Sequence, residues 1–103
     1  MPDLTQPDAV DVGLRILLDQ PSYAAQVLIT LARVLELHPA HEMTGLVRER
    51  AVDIAADTIL RTLPDVVARD SLARAYSAMP ALTLDASRGQ YALLVRTAAR
   101  SLG

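Results

Sequence analysis

Apolar residues recur along this chain at three- and four-residue intervals in five stretches, with proline at or near most of the breaks. That spacing is helical, and because proline suits the first turn of a helix but disrupts its interior, Pro21, Pro39, Pro64 and Pro80 mark helix starts or ends. The pattern predicts helices over residues 7–18, 21–37, about 42–63, 64–79 and 85 to 101 or 102. In the first, Val10, Leu14, Leu17 and Leu18 share one face and Asp11, Arg15 and Asp19 another, with Gly13 a weak point. In the third, Val47, Ala51, Ile54, Ala55, Thr58 and Ile59 form the stripe expected to be buried, and Gly45 marks fraying near its start. The fourth carries Asp65/Arg69 and Asp70/Arg74 as acid-then-base pairs four residues apart, which suit an exposed side. For the last, Asp85 is the expected N-cap, and Tyr91, Leu94, Val95, Ala98 and Leu102 the expected core face.

The second predicted helix differs from the others in degree. Between Tyr23 and Leu37 only Gln26, Thr30, Arg33 and Glu36 are polar, and at 100° per residue they share an arc of roughly 120°. A helix apolar over the rest of its circumference either sits centrally in its own bundle or lends a second face to another subunit. Val27, Leu28, Leu31, Val34 and Leu35 are the residues such an interface would use.

Composition agrees with an all-α reading. Ala and Leu supply 17 residues each, Phe, Trp and Lys are absent, and the three Tyr stand at 23, 76 and 91. Small side chains of this kind let helices approach closely, and Ala, Leu and Arg are good helix formers. At 103 residues the expected architecture is a compact bundle of four to five helices in a single domain spanning residues 1–103, with 1–6 expected to be disordered. The acidic N-terminus lacks the basic start and apolar stretch of a secretory signal, and the longest uncharged run, 20–32, is too short and too polar to span a membrane. A cytoplasmic protein is the expectation.

Charge is unevenly placed: residues 1–60 hold nine acids and four Arg, residues 61–103 three acids and six Arg. The two halves attract, within one fold or between copies.

Candidate chemistry is sparse. With no Cys, disulfides, thiolate ligands and cysteine nucleophiles are excluded. The four Gly are isolated, so no phosphate-cradling or dinucleotide loop is present. His38, His41 and Glu42, with Glu36 nearby, are weak metal candidates, since Pro39 prevents one continuous helix from aligning both His. Glu49, Asp53 and Asp57 recur every four residues, a possible acidic docking strip for a basic partner. Asp70-Ser71-Leu72 resembles the tripeptide on whose Ser acyl carrier proteins hold a phosphopantetheine arm. Arg69 precedes it where that family has a loop, and Ala73-Arg74-Ala75-Tyr76-Ser77 follows where that family is acidic, so the Ser role is not carried over. The start of the last helix offers Arg88 and Gln90, followed by Arg96 and Arg100, as nucleic-acid contacts.

The pattern points to a small helical protein–protein interaction module, self-associating as a homodimer or binding another protein, with no catalytic residues, no metal and no cofactor. The alternative is a small DNA-binding regulator reading through the last helix with Arg88, Gln90 and Arg96.

Overall fold

Four α-helices and no strand make up the described part of the chain, residues 20–83 and 85–103 of the computed structural model. The predicted helix over 7–18 and the segment 1–6 lie outside the described residues. The helices are α1 (Tyr23–Leu35), α2 (Gly45–Leu60), α3 (Asp65–Ala78) and α4 (Arg88–Leu102). Each begins where a residue can replace the hydrogen bonds that a first turn lacks. The hydroxyl of Ser22 accepts from the Ala25 N–H at 3.2 Å, and that of Thr44 from the Val47 N–H at 3.2 Å. Ser87 and Gln90 form a reciprocal capping box at α4, at 3.1 and 2.9 Å. At α3 Pro64 holds the cap position without a side-chain bond, and Asp65 places a carboxylate in the first turn, where the helix dipole favours it.

α1 contacts each of the other three helices, most extensively α4, then α2, then α3. Its Ala24, Ala25, Val27, Leu28, Leu31, Ala32 and Leu35 are buried, while Arg33 and Glu36, on the predicted polar arc, are exposed. α1 and α4 run antiparallel and are tied by backbone hydrogen bonds beyond both ends. The Ser22 N–H donates to the Gly103 carbonyl at 2.9 Å. Past the other end, the Arg88 and Gly89 N–H groups donate to the carbonyls of His41 and Pro39 at 2.8 and 2.9 Å. Tyr91, the largest fully buried side chain, donates its hydroxyl to the Pro80 carbonyl at 2.7 Å and so fixes the connector that follows α3.

Three sequence-based expectations are corrected in detail. The N-cap of α4 is Ser87, two residues after the expected Asp85, while Asp85 takes a left-handed backbone (φ 66°), a region where Asp is among the better-tolerated residues. The buried face of α4 is Tyr91, Ala92, Val95 and Ala99; Leu94 is 49% exposed. In α2 the buried residues are Ala51, Val52, Ala55 and Leu60, whereas Ile54 and Thr58 are exposed. In both helices alanine takes part of the buried face, beside Val52 and Leu60 in α2 and Tyr91 and Val95 in α4, while Ile54 and Leu94 turn outward. Of the two ion pairs predicted on α3, Asp70–Arg74 forms at 3.3 Å, with both side chains 66% exposed, so it adds little stability.

Gly89 is where the close approach is tightest. A Cβ built there would meet the Pro39 Cβ at 3.0 Å and the Pro39 carbonyl oxygen at 3.2 Å, against backbone that cannot swing away. Helix propensity alone makes Gly→Ala favourable by up to about 1 kcal/mol, but the clash forces the 38–41 turn off the start of α4. Gly89→Ala is therefore expected to destabilise by about 1–3 kcal/mol, read as a lower urea midpoint at unchanged slope. A neutral or stabilising result would mean the turn yields freely.

Candidate interaction surfaces

The side chains singled out from sequence fall into three groups. Of the five interface candidates, Val27, Leu28, Leu31 and Leu35 are at most 1% exposed within a single chain, and Val34 is half-buried. They have no outward surface to offer a second copy; α2, α3 and α4 already use them.

The acidic strip is on the surface. Glu49, Asp53 and Asp57 are all exposed along α2. Glu49 accepts a hydrogen bond from the Tyr76 hydroxyl at 3.1 Å, a side-chain link from α3 to α2. Partial burial of the phenol, then this bond and the negative charge of Glu49 and Asp53, raises the Tyr76 pKa above the ordinary value of 10.0. The strip is thus partly engaged in holding α2 and α3 together.

The polar residues of α4 also have structural partners. Gln90 is consumed by the capping box. The Arg88 Nε donates to the Glu42 carbonyl at 3.3 Å, beside the antiparallel bridge between Glu42 and Ser87. Arg96 makes a bidentate pair with Glu36, Nε to Oε1 at 2.6 Å and the second N–H group to Oε2 at 2.9 Å. Arg100 is exposed at the end of α4. Three of the four proposed nucleic-acid contacts therefore cap or brace the fold.

In the turn after α1, the His38 and His41 rings stack with centroids 4.9 Å apart and planes 16° from parallel. No group of three or more His, Asp or Glu suited to a metal occurs among the described residues. Ser71 is buried at 7% exposure on the inner face of α3, so its hydroxyl is not presented as an attachment site. No described helix is long and apolar enough to cross a membrane.

What sequence reasoning missed is the outward face of α4. Leu93 is 67% exposed and Leu94 49%. At 100° per residue they share with Gln90, Thr97 and Ser101 an arc of about 100° that contains no acid and no base. Leu93 and Leu94 lie near the middle of the 15-residue helix. The signal was available: two adjacent leucines in one helix cannot both face the core when alanines at 92 and 99 mark the close contact. A shallow groove beside them, about 420 Å³, is lined by Thr83, Asp85, Ala86, Gln90, Tyr91 and Leu94.

Compared with known proteins, the chain matches no protein-family model, no curated protein and no solved structure.

The Glu36–Arg96 pair joins the end of α1 to the middle of α4. The hydrogen bond from Arg96, then the charges of Arg96 and Arg33, outweigh desolvation and lower the Glu36 pKa below the usual 4.5. A carboxyl depressed on folding stabilises above its unfolded pKa, and the effect is lost as pH falls through the folded value. Because the side chains are 39% and 32% exposed, solvent screening keeps the contribution to about 1 kcal/mol or less. Glu36→Gln should be less stable than the native chain at pH 7, and the gap should close as pH falls through the lowered Glu36 pKa. Urea titrations at pH 7 and below that pKa check this; a gap that persisted in acid would assign the loss to packing rather than charge.

Proposed function

We propose that the protein is a small helical interaction module, without catalytic activity of its own, that pairs with a second copy through the outward face of α4. The observation that supports this is the exposure of Leu93 and Leu94 side by side on an arc free of charge. Scattered exposed leucines are ordinary on a protein surface, but adjacent ones flanked by Gln90, Thr97 and Ser101 repeat the spacing of a helix-pair seam.

An isologous contact suits this face better than an arbitrary partner does. On an arc without charge, two identical surfaces meet with no like-charge repulsion to offset. Because the leucines lie near the midpoint of α4, an antiparallel twofold pairing brings the leucines of both copies together at the axis. Burying a leucine stabilises by about 1.5–3 kcal/mol when fully exposed beforehand, so four partly exposed leucines supply about 4–8 kcal/mol. Set against the cost of immobilising two molecules, that yields a reversible, concentration-dependent dimer.

The buried leucines of α1 support the same reading from the other side, since they leave no comparable outward face on that helix. The acidic strip on α2 remains available to a basic protein partner through Asp53 and Asp57.

Light scattering after size-exclusion chromatography should show the mean mass rising with concentration from 11.1 kDa toward twice that value. The rise should be little changed by salt and absent in Leu93→Asp, with Glu49→Ala indistinguishable from the native chain in assembly. Leu93 points outward, so Leu93→Asp should retain its far-ultraviolet helical signal. A monomer at every concentration, or a dimer untouched by Leu93→Asp, would overturn the α4 pairing.

A further inference from the structure

We propose that His38 and His41, the two histidines of the chain, form an open two-imidazole site for a divalent transition-metal ion of the zinc class. No helix brings them together, because Pro39 stands between them; a β-turn does. The His41 N–H donates to the His38 carbonyl at 3.1 Å, which puts the two side chains at the first and last positions of a four-residue turn, where the Cα atoms are less than about 7 Å apart. Pro39 holds the second position, the one its fixed φ suits. The two rings meet across the turn with centroids 4.9 Å apart.

The turn is held by the rest of the fold. The His38 N–H donates to the Leu35 carbonyl at the end of α1, at 3.3 Å, while the Gly89 and Arg88 N–H groups at the start of α4 donate to the Pro39 and His41 carbonyls at 2.9 and 2.8 Å. Both histidine backbones are thereby fixed, and both side chains are exposed. An arriving ion does not have to order the chain that carries its donors, so the entropy of bringing them together has already been met by folding.

Spacing and donor type define the ligand. Imidazole nitrogens bind zinc at about 2.0–2.1 Å, which places the centroids of two rings on one ion about 4.5–5.2 Å apart for bond angles of roughly 90–110°. The observed separation falls inside that range. The ring planes lie 16° from parallel, so coordination turns the rings about the Cβ–Cγ bond, a soft torsion in histidine, without moving the backbone. Imidazole donors select zinc or nickel over magnesium and calcium, which prefer oxygen. Glu36 is not a third ligand, since Arg96 holds its two oxygens at 2.6 and 2.9 Å. Two protein donors fall short of the four of a closed structural site, so the bound ion keeps positions open to water or to a donor from outside the chain.

Zinc chloride titrated into the untagged full-length chain tests the site, with binding followed by calorimetry and by long-range hydrogen–nitrogen correlation spectra of the imidazoles. One equivalent should shift both rings together, and magnesium should shift neither. His38→Ala and His41→Ala should each weaken zinc binding at least about tenfold, because the second donor acts at the high effective concentration that the turn sets. Zinc should also raise the urea midpoint of the native chain but not that of His41→Ala. Both substitutions change exposed side chains and should leave the far-ultraviolet helical signal intact. A response from one imidazole alone, single variants that bind zinc as the native chain does, an equal response to magnesium, or no response to zinc in the folded protein would each overturn the site.

Discussion

The antiparallel contact of α1 with α4 is the constraint on which the other placements depend. It is made close by Ala24, Ala25 and Ala32 on one helix and Ala92 and Ala99 on the other. Backbone hydrogen bonds beyond each end fix its length and register. Leu28, Leu31 and Leu35 on α1 and Val95 on α4 fill the core beside these alanines. Tyr91 is buried with them, its hydroxyl reaching the Pro80 carbonyl and so holding the connector that follows α3. The 38–43 turn is held to the start of α4 by the Arg88 and Gly89 N–H groups, and a Cβ at 89 would crowd Pro39.

That arrangement divides the polar residues by role. Gln90, Arg96 and the backbone N–H groups of Arg88 and Gly89 close caps, ion pairs and loop contacts, and Glu49 ties α3 to α2 through Tyr76. A residue already committed in this way is a poor candidate for a ligand, because binding would first have to break what it holds. Among the described residues, Leu93 and Leu94 on α4 and Asp53 and Asp57 on α2 carry no such commitment, nor do Leu37, Leu46 and Val66 elsewhere on the surface.

Much of this was legible in the sequence. Proline spacing and apolar periodicity located α1, α3 and the body of α2, and the polar arc of α1 was correct down to Arg33 and Glu36. The errors share a physical origin. Periodicity was weighted by size, so Ile54 and Leu94 were assigned to the core, whereas close helix packing is decided by the small residues Ala55, Ala92 and Ala99. Likewise Asp85 has the right chemistry for a cap, but Ser87 has Gln90 three residues later, and the reciprocal pair wins. The excess apolar circumference of α1 admitted two explanations from sequence because periodicity carries no record of how many neighbours a helix has.

The outer arc of α4 and a groove between α1 and α4, lined by Ala25, Ile29 and Ala99 among others, are linked by one consequence of small-residue packing. When two helices approach through alanine, the contact between them is narrow, and each helix keeps more of its circumference for other neighbours than a leucine-packed pair would. On α4 the spare surface carries Leu93 and Leu94; on the α1 side it is the groove at Ile29.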